Sequence, residues 1–219
     1  LDTPPKNAIL LIGDSLMRGP EPEDQEHPIM LDCILPYIQH SATVYMCAEG
    51  GARLNQLKDM TEAVLPFVTE EQITLVYLAG TCHIPKHIGS YSQSKDDFIR
   101  RFKAAVHQID RIRGLKVWTL LLPRSDKYKK QGEVRTDNTV YTKNTLINDV
   151  NGFMRQYLDP IRWYIVDGRA FYMFGKPENR VMHDQYENQT HLNEAGCRRL
   201  AHSITAVVNK LLTNKFSKN

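Results

Sequence analysis

Two residues near opposite ends of the chain have the types and settings that nucleophilic catalysis requires. Ser15 stands in Gly13-Asp14-Ser15-Leu16, directly after the apolar run at residues 7–12. That run is strand-sized, and glycine permits a tight turn at its end. Ser15 is thereby set at a strand-to-helix corner, where free N–H groups and the helix dipole favour developing negative charge. The same hydroxyl could do no more than cap the helix. His191 stands in Thr190-His191-Leu192-Asn193-Glu194-Ala195-Gly196, just ahead of an amphipathic run. If the chain folds back on itself, this imidazole becomes the general base that a serine nucleophile needs. A lone histidine is more often a surface or capping residue, so the pairing with Ser15 carries the reading.

Such a pair must be assembled by the elements around it. Apolar runs alternate with amphipathic segments along the chain, which is the pattern of an α/β domain. Strands are expected at residues 7–12, 43–46, 74–79, 115–122 and 163–166. Helices are expected at 29–40, kinked near Pro36, and at 53–67, 95–113, 141–158 and 193–212. Each crossover is long enough for a right-handed parallel connection. The expected fold is a three-layer α/β/α sandwich with a five-stranded parallel sheet in the flavodoxin-like order 2-1-3-4-5. Functional groups in such a sheet collect beyond the carboxyl ends of the strands, here Gly13, Cys47, Gly80, Pro123 and Asp167. Segments 20–28 and 124–138 read as polar loops. No repeat or linker divides the chain, so it is expected to be a single domain, with 1–6 and 214–219 as tails.

These segments resemble the SGNH, or GDSL, hydrolase superfamily. Its first block is matched by Gly13-Asp14-Ser15-Leu16, with Ser15 in the nucleophile position. Its second is matched by Glu49-Gly50-Gly51-Ala52-Arg53, where the N–H of Gly51 would join that of Ser15 in an oxyanion hole. Its third, usually glycine-x-asparagine, falls on Gly80-Thr81-Cys82-His83. Its fifth, usually aspartate-x-x-histidine, falls on Asn188-Gln189-Thr190-His191-Leu192. The four blocks occur in the superfamily's order, each at the expected strand end or helix start, and the resemblance spans residues 7 to about 212.

Two departures bear on activity. Cys82 stands where an asparagine would donate to the oxyanion, and a thiol is a weak donor. Loss of one such donor typically costs roughly 10²–10³ in turnover. Thr81, His83 or Asn55 could substitute. Asn188 replaces the aspartate that would orient His191; an asparagine can hold an imidazole tautomer but stabilises imidazolium poorly. Glu187 and Asp184 are nearby acids that could take that role.

Residues 124–130, with Arg124, Lys127, Lys129 and Lys130, followed by Arg135, form a basic segment on the same side of the sheet. Its simplest reading is a solvated loop. Its functional reading is a contact for an anionic substrate, a membrane surface or nucleic acid. Segment 20–28 is acidic and would lie beside the nucleophile turn. His83 and His87 lack the carboxylate or cysteine spacing of a metal site, and Asp14 and Asp167 read as loop caps. Phe171-Tyr172-Met173-Phe174 would pack on the sheet or rim a pocket.

Composition fits a globular protein. The 219 residues are 42% hydrophobic and 24% charged, which excludes a disordered, collagen-like or coiled-coil chain. A net charge of +3, from 28 basic and 25 acidic residues, does not by itself argue for nucleic acid. The four cysteines show no CxxC spacing and are expected as buried, reduced thiols. With no leader segment, no apolar run near ~18 residues and no disulfide pattern, an intracellular setting and no transmembrane segment are expected. The resemblance implies a carboxylic ester hydrolase without a cofactor, acting on a small ester such as an acetylated lipid or sugar. The superfamily includes esterase-like domains of animal retrotransposons, and the third-block departure and basic segment look most like those. The competing class is an SGNH-like binding module for nucleic acid or a protein partner.

Overall fold

The computed structural model describes residues 6–20 and 29–216. Five strands form one parallel sheet: β1 (Asn7–Gly13), β2 (Ala42–Ala48), β3 (Gln72–Leu78), β4 (Leu115–Thr119) and, after a separate hairpin, β7 (Trp163–Val166). Their spatial order is β2-β1-β3-β4-β7, which is 2-1-3-4-5 when only the sheet strands are counted. Every residue of β1 is buried, as a central strand covered on both faces requires. Its side chains alternate between two cores. Ala8, Leu10 and Ile12 face α3 (Leu57–Val64), α4 (Tyr91–Ile109) and α5 (Val140–Tyr157), meeting Phe98, Phe102 and Val150. Ile9 and Leu11 face α1 (Ser15–Arg18), α2 (Ile29–Ile34) and α6 (Glu194–Phe216), meeting Met17, Met30 and Ile204. The architecture is the three-layer α/β/α sandwich expected.

Register matters more than content for the site. Gly13 at the end of β1 is paired with Ala48 of β2 and Leu78 of β3. Three strands therefore stop in one row, and the turns that follow them converge. Gly13 is required there: a Cβ would lie 1.9 Å from the carbonyl oxygen of Leu78.

Several boundaries differ from the sequence reading. The helix expected at 29–40 ends at Ile34 and tightens to a 3₁₀ turn at Leu35–Tyr37, where Pro36 removes a donor. The helix expected at 53–67 is α only over Leu57–Val64, with 3₁₀ turns at both ends. The strand expected to reach residue 122 ends at Thr119; Leu120 still donates to Val166 at 2.9 Å, and at Leu121 a side chain takes over, Asn151 of α5 donating to its carbonyl and accepting from its N–H at 2.9 and 2.8 Å. Asn144 bonds both backbone groups of Arg124 in the same way, at 2.7 and 2.9 Å. The segment expected as a loop at 124–138 contains an antiparallel hairpin, β5 (Lys127–Lys130) and β6 (Glu133–Thr136). Gln131 and Gly132 both have positive φ at its tip, as a type I′ turn demands. The final helix runs to Phe216 instead of ending at Leu212. Residues 21–28 of the acidic segment, 1–5 and 217–219 lie outside the described residues. Cys33 and Cys197 are buried, but Cys47 is half-buried and Cys82 exposed; all four are free thiols.

Candidate active site

The turn after β1 holds Ser15 at the first position of α1. Asp14 caps that helix, its Oδ1 accepting the N–H of Leu16 at 2.9 Å. Beside it, residues 49–52 form a β-turn closed by the Ala52 N–H to the Glu49 carbonyl at 3.1 Å. Gly51 has φ of 73° there, a conformation that favours glycine. Among the described residues, neither the Ser15 nor the Gly51 N–H finds an acceptor, and both residues line one cavity of about 590 Å³. That volume suits a small-molecule site.

The histidine arrives on a loop fastened from several sides. Tyr186 and Leu192 form a β-bridge, and Asn193 caps α6 by accepting from Gly196 at 3.0 Å. The Tyr186 hydroxyl donates to the Pro123 carbonyl at 2.5 Å, and the Ser125 N–H donates to the Gln189 carbonyl at 2.8 Å. The loop is thus tied to the end of β4. It places His191 Nε2 3.0 Å from Ser15 Oγ. The other ring nitrogen, Nδ1, is 3.1 Å from Asn188 Nδ2.

Asn188 is in place against the ring, and the two acids weighed as alternatives are not. The Asp184 carboxylate accepts from Gln185 at 3.3 Å, and its carbonyl accepts from Asn193. Glu187 is exposed and acts on the ring only through its charge. Burial holds the His191 pKa below its usual range, Glu187 opposes this, and Arg124 and Arg18 add to it.

Two of the third-block residues, Thr81 and Cys82, line the same cavity as Ser15 and Gly51. The Cys82 thiol, expected in the oxyanion hole, donates to the Ala52 carbonyl at 3.4 Å and ties the second turn to the third. His83 Nε2 accepts the Leu54 N–H at 3.1 Å, and burial pushes its pKa down to about 4. Asn55 is exposed and does not line the cavity. Thr81 accepts twice from Arg124, at Oγ1 (2.6 Å) and at its carbonyl (3.0 Å).

Arg124 requires a correction. Expected on an exposed anion-binding segment, it is only 7% exposed; Asn144 holds its backbone, and its guanidinium donates inward to Thr81 at the wall of the same cavity. Its charge acts on Asp14, Cys82 and His191. Burial raises Asp14 to about 6, with the Leu16 N–H and Arg124 opposing. The lysines of the segment also divide. Lys127 Nζ donates to Thr136 across the hairpin, whereas Lys129 and Lys130 are exposed. Arg135 lies 3.7 Å from Glu133. The aromatic cluster splits likewise, with Phe171 and Tyr172 buried and Phe174 85% exposed. Asp167 accepts from Arg155 and Arg169. Residues that sequence reasoning passed over line the cavity too: Lys86, Asp137 and Lys143. Asp137 accepts from Gln189 at 3.2 Å, across two loops with no mutual signal in the sequence.

The fold is that of the GDSL, or SGNH, hydrolases. A member of the lipolytic G-D-S-L family from Veillonella parvula DSM 2008 is similar over 92% of this chain and 97% of its own, with TM-score 0.62 and 16% identity. The acetyl xylan esterase AlAXEase gives TM-score 0.57 at 17% identity, covering 92% of this chain and 99% of its own. The lipase/acylhydrolase from Enterococcus faecalis gives 0.54 at 10%, covering 94% and 96%. No protein-family model and no curated protein matches the chain.

Proposed function

We propose that the chain is a serine ester hydrolase acting on small acyl esters. The observation that carries this reading is the 3.0 Å approach of Ser15 Oγ to His191 Nε2 at the wall of a cavity shared with Gly51. In the reaction, Oγ bonds to the acyl carbon as its proton passes to Nε2. The N–H groups of Ser15 and Gly51 receive the oxyanion. Nε2 then returns the proton to the departing alcohol, and water releases the acyl group by the same steps. Arg124, buried behind Thr81, adds a fixed positive charge that favours the oxyanion state. The similar structures include an acetyl xylan esterase and a lipase/acylhydrolase, which supports an acetylated sugar or lipid as substrate class. Lys86 and Lys143 on the cavity wall suit an ester that carries negative charge elsewhere.

The test is turnover of p-nitrophenyl acetate by wild type and Ser15→Ala. Slow hydrolysis by the wild type, lost in the variant, is expected. Equal rates in the two proteins, or none in either, would overturn the proposal.

A further inference from the structure

The chemistry of Ser15 depends on which nitrogen of His191 carries the ring proton, and that choice is made on the far side of the ring. Asn188 Oδ1 accepts two backbone N–H groups, from Thr190 at 2.9 Å and from His191 itself at 2.7 Å. Two donors on one atom fix the direction of the amide. Turned through 180°, its NH₂ would face both N–H groups, losing two hydrogen bonds and opposing donor to donor. The group 3.1 Å from Nδ1 is therefore the NH₂. An amide nitrogen donates and does not accept. Nδ1 must then be the acceptor, which leaves the ring proton on Nε2.

Nε2 is the atom that faces Ser15. With a proton there, the ring donates to Oγ and has no lone pair with which to take the serine proton. Neither nearby acid offers Nδ1 an alternative acceptor, since Asp184 is engaged with Gln185 and Glu187 makes no hydrogen bond to the ring among the described residues.

We propose that Asn188 is a positioning residue that holds His191 in its Nε2–H tautomer, so that the Ser-His pair is assembled but kept in a low-turnover state. Turnover then proceeds only through the minor Nδ1–H form. The functional half of this statement rests on the ester-hydrolase reading; the tautomer itself does not. A carboxylate at the same place reverses the assignment without changing size. One oxygen of an aspartate would keep both backbone donors, and the other would accept from Nδ1–H, freeing the Nε2 lone pair.

The experiment uses the full chain labelled with ¹⁵N-histidine, and two-bond ¹H–¹⁵N correlation at pH 8, where the ring is neutral. His191 is assigned by the signals missing from His191→Gln. The expected wild-type spectrum has a protonated Nε2 and a bare Nδ1, and Asn188→Asp exchanges them. Hydrolysis of p-nitrophenyl acetate should rise on the order of 10³–10⁴-fold in Asn188→Asp and vanish in Ser15→Ala/Asn188→Asp. A wild-type ring protonated on Nδ1, or a tautomer unmoved in Asn188→Asp, overturns the inference and leaves the hydrolase reading standing. A tautomer that exchanges as expected, with no Ser15-dependent hydrolysis in Asn188→Asp, overturns the hydrolase reading and leaves the tautomer assignment standing.

Discussion

The buried carboxyl next to Ser15 and the half-buried imidazole of His83 set opposing pH dependences at the scale of single residues. Asp14 is 1% exposed, and its Oδ2 has no partner among the described residues. Burial lifts its folded pKa to about 6 from 3.8, so the fold binds the protonated form better than the unfolded chain does. Its contribution is fully present below pH 4 and is lost as pH rises to 6, a change of about 3 kcal/mol. His83 acts oppositely over nearly the same window. Its folded pKa is depressed to about 4, so its contribution is present above pH 6.5 and lost as pH falls through 4. Asp14→Asn removes the first effect and leaves the second. Urea unfolding between pH 4 and 6.5 should show stability rising more steeply with pH in the Asp14→Asn variant than in wild type; superimposable profiles would refute the assignment. At this scale the sequence was informative where residue type alone singled out groups that the fold brings together, as with Ser15 and His191. It was silent on the direction of the Asn188 amide, which depends on where two backbone N–H groups of the following turn point. The burial of Arg124 was hidden for a similar reason, since its charge suggested solvent and the Thr81 oxygens that receive its guanidinium lie 43 residues away in the sequence.

Among the elements, α5 acts as a rack for the chain that runs past the end of β4. Asn144 and Asn151 lie two turns apart on one helix face and bond the backbone of Arg124 and Leu121. Asn151→Ala would leave a donor and an acceptor of Leu121, itself 1% exposed, without partners. Chemical unfolding should show a loss of roughly 2–4 kcal/mol, against about 0.5 kcal/mol or less for the exposed Asn55→Ala. Periodicity located all five sheet strands and the main helices because each has a buried stripe, as α4 does with Phe98, Phe102, Ala105 and Ile109. It overran the end of β4, where residues 120–122 stay apolar but Leu121 exchanges strand partners for the Asn151 side chain. It also passed over the hairpin, whose strands Lys127–Lys130 and Glu133–Thr136 have no apolar face and are signalled only by Gln131-Gly132.

For the molecule as a whole, the site exists only where three strand ends and the 186–192 loop meet, so chemistry and folding should be lost together. We propose that the described residues unfold as one unit. Trp118 and Trp163, 6.1 Å apart in the core beneath α4 and α5, report on the interior, while far-UV circular dichroism reports on all helices. The two urea transitions should coincide with each other and with loss of Ser15-dependent hydrolysis; separated midpoints would mean that the halves come apart independently. The surface charge makes a weaker claim. With Arg124 buried, Lys127 bonded to Thr136 and Arg135 beside Glu133, the hairpin presents Lys129 and Lys130 as its freely exposed cations. Two such charges would give a single strand of nucleic acid a salt slope of only about −1.4. The separation of Ser15 from His191 along the chain also has a consequence during synthesis. Translation supplies Ser15 176 residues before His191, so a polypeptide stopped between the two carries the alcohol with no imidazole beside it. The proposed acyl chemistry has to wait until His191 has been made and its loop has closed on the turn after β1.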